Sequence, residues 1–222
     1  MKKILVSSDL KSHFDKTVTL IQSGKEIEYG VIDGNNTIIF IKSGMEGSCY
    51  GFKNKYVKIG RLLNERHGCS IISSSNPLGY QTDFAAEMSF IQEYAIKHNL
   101  EDYKVYYLGH SNGAALGIIN AYRFTEIKKL VCINAPLMMN PQQLIQGIKA
   151  FNSEKMYLVY GSKDPSFDMV NLYSELESEK IEFVRIKNAD HNFAGHLDFF
   201  IELPGLLLFG GELKCKNVKV HQ

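Results

Sequence analysis

Charge of one sign, long apolar runs and closely spaced cysteines are all scarce in this chain of 222 residues. Its 25 Lys and Arg residues against 24 Asp and Glu give a formal net charge of +1. The basic residues are scattered along the chain instead of forming a cluster. This balance lacks the electrostatic signature of proteins that bind nucleic acid or strongly acidic partners, and we expect neither kind of partner.

No stretch of the sequence approaches the length of a membrane span, so no membrane partner is expected. The N-terminus, MKKILV, has the basic start of a signal peptide. Its apolar run, Ile4 to Val6, is far shorter than the roughly 7–15 residues that the apolar part of a signal peptide needs. The sequence therefore predicts a cytoplasmic protein.

The four cysteines are Cys49, Cys69, Cys132 and Cys215, and no two of them have C-x-x-C spacing. This spacing disfavours a zinc site or a thioredoxin-type redox site. Cys69 and Cys132 lie in apolar, strand-like runs, where a free cysteine usually packs as a small hydrophobic residue. We interpret the cysteines as the reduced thiols of a cytoplasmic protein.

Strand-like and helix-like segments alternate along the chain, without an internal repeat, a low-complexity segment or a linker. The predicted strands are TVTLIQS, KEIEYGVID, NTIIFIKSG, CSIISSS, YKVYYLG, KKLVCINAP, KMYLVYGS and IEFVRIKNA. The predicted helices cover about 53–67, 83–98, 112–124 and 141–150, a segment starting at Pro165, and 195–210 with an interruption near Pro204.

Repeated strand–helix units predict an α/β fold with a mainly parallel central sheet of about seven or eight strands and helices on both faces. The first two strands, joined at Gly24, predict an antiparallel start. We expect one domain over 1–222, with its core at about 16–209 and a short charged tail at 212–222.

Ligands of parallel sheets bind at the carboxyl ends of the strands, so the residues that follow each strand carry most information. Ser111 follows YKVYYLG within GHSNG, which has the form G-x-S-x-G. A nucleophilic serine must stand clear of the sheet on a sharp strand-to-helix turn. Gly109 and Gly113 relieve the crowding that such a turn creates. An ordinary strand-to-helix turn is the alternative interpretation.

This motif in its strand–turn–helix context resembles the nucleophile elbow of the α/β-hydrolase superfamily, and the resemblance covers about residues 16 to 209. The resemblance implies the α/β-hydrolase fold and a catalytic triad. Asp164 in GSKDPS stands where the superfamily has its acid, and His191 in DHNFAGH stands where it has its base. Asp168 and His196 are the rival candidates.

Asp164 and His191 each have an alternative, non-catalytic interpretation. Asp164 is also placed to cap a helix beginning at Pro165, and His191 is also typical of an exposed loop. The chain order Ser111, Asp164, His191 is nevertheless the order of the superfamily's triad. In that mechanism the histidine, whose unperturbed pKa is about 6.5, takes the serine proton, and the aspartate holds the imidazole in the correct tautomer.

The resemblance also implies an oxyanion hole, half of it in the loop SGMEGSCYG after NTIIFIK. The usual His-Gly-x pattern is replaced by Ser43, Gly44 and Met45, a tolerable change because backbone groups do the binding. We assign the donors as the N–H groups of Met45 and Asn112. Glu46 is expected to face solvent; a carboxylate pointing inward would suggest a substrate with positive charge.

The segment from Pro136 to Lys155 has room for one short helix, so no separate lid is expected. Four apolar residues of this segment are candidates either for an acyl pocket or for packing on the sheet. They are Met138, Met139, Leu144 and Ile145.

The sequence thus predicts a lid-less, carboxylesterase-like serine hydrolase that acts on a small-molecule acyl substrate. The substrate is a carboxylic ester, or a thioester or amide, and the acyl-enzyme forms on Ser111. No metal and no organic cofactor is implied. An acyltransferase and a non-catalytic or weakly catalytic ligand-binding protein of the same fold are the alternatives.

Overall fold

A computed structural model describes residues 13–79 and 83–210 together with a two-residue strand at Val218–Lys219. The N-terminal run Ile4 to Val6, Cys215 and most of the predicted charged tail lie outside the described residues. Within the described part of the chain, no helix is long and apolar enough to cross a membrane.

The central feature is one sheet, to which the described residues contribute nine strands in the order β1-β2-β4-β3-β5-β6-β7-β8-β9. The strands are β1 (Lys16–Gln22), β2 (Lys25–Ile32), β3 (Asn35–Lys42), β4 (Cys69–Ser74), β5 (Lys104–His110), β6 (Ile127–Ile133), β7 (Lys155–Gly161), β8 (Ile181–Ile186) and β9 (Val218–Lys219). The six strands β3 to β8 run parallel to one another. Three pairs are antiparallel: β1 with β2, β2 with β4, and β8 with β9.

Six α-helices connect and cover these strands within the described residues. They are α1 (Lys55–His67), α2 (Phe84–Lys97), α3 (Asn112–Asn120), α4 (Pro141–Ala150), α5 (Val170–Tyr173) and α6 (Leu197–Phe209). Asp83 caps α2 by accepting a hydrogen bond from the Ala86 N–H at 3.1 Å.

The sheet separates two hydrophobic cores, because alternate side chains of each strand point to opposite faces. In β3, Ile38 and Phe40 belong to the core beneath α2 to α5, and Ile39 and Ile41 belong to the core beneath α1 and α6. The prediction of a mainly parallel sheet with helices on both faces is confirmed. The strand β9 extends the predicted sheet by one short antiparallel strand.

Two local predictions about proline were wrong. No helix begins at Pro165: the chain first makes a helical turn at Phe167–Met169, because the Asp164 carboxylate holds the preceding loop through the Ser166 N–H. Helix α6 continues through Pro204 without a break. Its neighbours Leu203 and Leu207 are buried, and this packing offsets the missing backbone donor.

A buried ion pair anchors the carboxyl end of β3. Lys42 Nζ donates hydrogen bonds to Glu87 Oε1, to Ser74 Oγ at 2.9 Å and to the Ser75 carbonyl at 2.8 Å. Both charged side chains are fully buried. Burial lowers the pKa of Lys42 and raises the pKa of Glu87, while the charge of each partner opposes these shifts. The pair ties β3 to helix α2.

Replacing Lys42 with Met is expected to lower the free energy of unfolding by about 3–5 kcal/mol, because the Glu87 carboxylate stays buried without its cation. The double variant Lys42→Met/Glu87→Leu should recover most of this loss. Urea unfolding measures both. Arg66→Met, which breaks the half-exposed pair with Glu202, should cost less than about 1 kcal/mol. Equal losses in the single and double variants would contradict this account.

Candidate active site

Ser111 stands on a sharp turn between β5 and α3. Its backbone has φ 56° and ψ −124°, a conformation that residues other than glycine rarely adopt. The Ser111 N–H donates to the Ile133 carbonyl of the neighbouring strand at 2.8 Å, and its own carbonyl accepts from the Ala114 N–H at 3.0 Å. Hydrogen bonds on both sides therefore hold the strained turn.

The two flanking glycines are required by contacts between backbones. A Cβ atom on Gly113 would lie 2.3 Å from the Lys42 carbonyl oxygen and 2.5 Å from that of Ser43. A Cβ atom on Gly109 would lie 2.6 Å from the Ala114 nitrogen. The crowding around Ser111 that the sequence predicts therefore comes from the backbone at the end of β3 and in the first turn of α3.

The structure brings Ser111, His191 and Asp164 into one hydrogen-bonded chain. His191 Nε2 lies 3.0 Å from Ser111 Oγ, and His191 Nδ1 lies 2.6 Å from Asp164 Oδ2. The Asp164 side chain is 1% exposed and its Oδ1 accepts from the Ser166 N–H at 2.7 Å, whereas the His191 side chain is 38% exposed. The aspartate is therefore immobilised and the imidazole reaches solvent.

The rival residues stand apart from this chain. Asp168 is exposed in the turn Phe167–Met169, and His196 precedes the first residue of α6. Among the described residues, neither side chain hydrogen-bonds to Ser111 or His191.

Two residues that the sequence analysis did not single out hold the His191 loop. Asn134 Nδ2 donates to the His191 carbonyl at 3.0 Å, and Asn134 Oδ1 accepts from the Gly161 N–H at 2.9 Å. His110 Nε2 lies 2.8 Å from the same His191 carbonyl. Asn134 directly follows β6, and residues after parallel strands are expected at the ligand site, so the sequence could have identified it. His110 occupies the variable second position of G-x-S-x-G, and no feature of the sequence marks it.

The loop after β3 lies directly beside the serine. A Cβ atom on Gly44 would be 3.2 Å from Ser111 Cβ. Asn76 Nδ2 joins the loop to α3 by donating to the Ser43 carbonyl at 3.3 Å and to Asn112 Oδ1 at 2.9 Å. The N–H groups of Met45 and Asn112 donate to no acceptor in the described part of the chain, so both are available to a ligand.

A cavity of about 580 Å³ opens at this site. Its lining consists of residues from the segment 44–56 together with His110, Ser111, His191 and Asn192. Glu46 belongs to this lining, and it is exposed to solvent as expected from the sequence. No group of three or more His, Cys, Asp or Glu side chains suited to a metal ion is found among residues 13–79 and 83–210.

This protein resembles known proteins in its three-dimensional structure but not in its sequence. No family model and no curated protein matches the sequence. The structure of Est1E from Butyrivibrio proteoclasticus is 14% identical, with a TM-score of 0.69, over 87% of this chain and 97% of that one. XC6422 from Xanthomonas campestris, described as an a/b serine hydrolase without lid, is 15% identical, with a TM-score of 0.62, over 88% of this chain and 92% of that one.

A third similar structure is the Pyrococcus furiosus esterase Pf2001, at 14% identity and a TM-score of 0.69, over 87% of this chain and 91% of that one. The chain has the α/β-hydrolase fold. Identities at this level show the fold and leave activity to be argued from the site.

The segment between β6 and β7 of this α/β-hydrolase fold packs on helix α3. Helix α4 lies on α3, so closely that a Cβ atom on Gly147 would be 2.1 Å from the Ile118 carbonyl oxygen. Leu144 is buried in the core and Met138 is exposed. None of the four candidates for an acyl pocket lines the cavity beside Ser111. The segment 44–56 forms that wall instead.

Lys55 is the most unusual residue of the cavity, and the sequence analysis missed it. It is 5% exposed, and its Nζ lies 4.4 Å from the ring centre of Phe200 and 3.5 Å from His110 Nδ1. Burial lowers the pKa of Lys55 to about 8. Burial, and then the charge of Lys55, lower the pKa of His110 to about 3, so His110 is a neutral imidazole.

Gly113→Ala is expected to lower the free energy of unfolding by about 3 kcal/mol or more, or to prevent folding, because the new methyl group meets backbone that cannot yield. Thermal melts measure the effect. Gly205→Ala in α6 is the matched control, since a Cβ atom there meets only Leu63 Cδ2 at 3.3 Å. That control should stay within about 1 kcal/mol of the wild type. If the Gly113→Ala protein is as stable as the control, the turn around Ser111 is not as tightly packed as the contacts of Gly113 indicate.

Proposed function

We propose that this protein is a serine hydrolase that cleaves a carboxylic ester of a small molecule through an acyl-enzyme on Ser111. The observation that carries the proposal is the hydrogen-bonded chain from Ser111 Oγ through His191 to Asp164. A serine hydroxyl becomes a competent nucleophile when an adjacent base accepts its proton, and this chain supplies that base and its support.

In the proposed mechanism, Ser111 Oγ attacks the ester carbonyl carbon while His191 Nε2 takes the hydroxyl proton. The Asp164 carboxylate stabilises the imidazolium that forms and keeps the Nδ1 proton in place. The carbon–oxygen bond to the alcohol then breaks, and His191 gives its proton to the leaving alkoxide. His191 then takes a proton from a water molecule, which attacks the acyl carbon. The bond from that carbon to Ser111 Oγ breaks, His191 returns the proton to Ser111 Oγ, and the carboxylic acid is released.

The negative charge of the tetrahedral intermediate needs donors beside Ser111. The N–H groups of Met45 and Asn112, which have no acceptor among the described residues, are suited to this role, because the Gly44 loop lies against Ser111 and Asn112 begins α3. One such donor contributes about 3–4 kcal/mol to the transition state. The similar structures described as an esterase and as a serine hydrolase support the same class of reaction.

Ser111→Ala is the decisive variant. It is expected to lower kcat for a para-nitrophenyl ester by more than about a thousandfold and to abolish labelling by a fluorophosphonate probe. Ser23→Ala, at an exposed serine in the turn between β1 and β2 and outside the cavity lining, should keep both properties. Wild-type protein that neither reacts with the probe nor cleaves esters would favour the ligand-binding alternative.

Asp164→Asn is expected to lower kcat by about 10⁴-fold, because the amide favours the wrong imidazole tautomer. Asp168→Asn should change kcat by less than about threefold, since this carboxylate is exposed and His191 Nδ1 is already bonded to Asp164. Steady-state kinetics on both variants provide the test. A larger loss for Asp168→Asn would move the acid four residues along the chain.

A further inference from the structure

Lys55 places a buried ammonium group in the cavity that contains Ser111. It is the first residue of α1. The Nζ atom lies over the ring of Phe200 at 4.4 Å and near the ring of Tyr56 at 5.1 Å, and it makes one long hydrogen bond, of 3.5 Å, to His110 Nδ1. None of the carboxylates in the described residues lies within ion-pair distance of it.

The other buried cations of the described residues are paired. Lys42 lies against Glu87, and Arg61 donates to Asp15 at 2.8 Å and to a backbone carbonyl. Burial of an unpaired charge destabilises a fold, so buried charges are normally paired. Lys55 is the exception, and it is the one of the three that lines the cavity of the proposed active site. The missing counter-ion is therefore expected from a ligand.

We propose that Lys55 binds a carboxylate group of the substrate, which makes the preferred substrate an anionic ester. This inference rests on the proposed function, because it names the substrate class of the same site. A carboxylate forms charge-assisted hydrogen bonds with an ammonium group, which are shorter and stronger than bonds to a neutral acceptor. A neutral ester would leave the buried charge of Lys55 without a counter-ion from the substrate.

The one carboxylate in the cavity lining, Glu46, does not reverse this preference. Glu46 is exposed, so water and salt screen its charge, whereas the charge of Lys55 acts from a buried position of lower effective dielectric constant. The buried side of the cavity is accordingly positive.

Lys55 has one other conceivable role, which is to position the base. The contacts run from Lys55 through His110 to the His191 carbonyl. A residue that only positions His191 would affect charged and neutral esters alike, because the base serves both. The ratio of kcat/KM for an anionic ester to kcat/KM for its neutral analogue separates the two roles.

Two matched pairs of esters test the proposal and locate the carboxylate. The first pair has its charge on the alcohol part: meta-acetoxybenzoate and meta-acetoxybenzamide. The second pair has its charge on the acyl part: mono-para-nitrophenyl adipate and para-nitrophenyl adipamate. We expect the wild type to favour the anionic ester by about tenfold or more in at least one pair.

Lys55→Met should bring that ratio to within about threefold of one, and Lys55→Arg should retain a preference for the anion. Lys53→Met is the matched control, because Lys53 is exposed, two residues away and not among the residues that line the cavity; it should keep the wild-type ratio. A wild-type ratio near or below one in both pairs overturns the proposal. So does a ratio that survives Lys55→Met, or a Lys55→Met loss shared equally by anionic and neutral esters.

Binding is measured separately from turnover with the Ser111→Ala protein. Calorimetric titration should show tighter binding of meta-acetoxybenzoate or of the adipate monoester than of the corresponding amide. Adding Lys55→Met should remove that difference, and equal affinities in Ser111→Ala would overturn the inference. The neutral esters report on the proposed function alone: if Ser111 is required for their hydrolysis but no anion preference exists, only the present inference fails.

Discussion

The site depends on one contact between backbones, that of the end of β3 with the elbow after β5. Lys42 pairs with Gly109 across the two parallel strands, and the carbonyl oxygens of Lys42 and Ser43 occupy the space that a side chain on Gly113 would need. This approach places the Gly44 loop against Ser111. The Lys42–Glu87 pair, buried from water, holds the same strand end to α2. Packing of a distant helix thereby positions the Gly44 loop beside the serine.

A second set of contacts brings the histidine to the serine. The His191 carbonyl receives hydrogen bonds from Asn134, at the end of β6, and from His110, at the end of β5. The imidazole itself is then oriented by Asp164, whose other oxygen is occupied by a backbone N–H. The parallel sheet makes this arrangement possible because the ends of β5, β6, β7 and β8 meet at one edge.

Lys55 illustrates how a site can hold a group that does not favour the fold. Burial of its ammonium group beside Phe200 lacks the compensation that Lys42 and Arg61 receive. Between pH 8 and 10.5 the unfolded chain binds more protons at this residue than the folded chain does, so the contribution of Lys55 to stability improves as pH rises through that window. At neutral pH the penalty is fully present, which is typical of residues kept for binding.

The sequence by itself determined the α/β fold class, the order of the elements and the turn around Ser111, because these follow from local periodicity and from the geometry of glycine. It also pointed to Asp164 and His191, through their places after strands, but left Asp168 and His196 as rivals. In the tertiary structure Asp164 and His191 form one hydrogen-bonded chain with Ser111, whereas Asp168 is exposed to solvent. The tertiary structure alone showed that α6 passes through Pro204 and that the wall of the cavity comes from 44–56. It also showed that no carboxylate of the described residues pairs with Lys55. These features depend on contacts between segments far apart in the chain, and no local pattern encodes them.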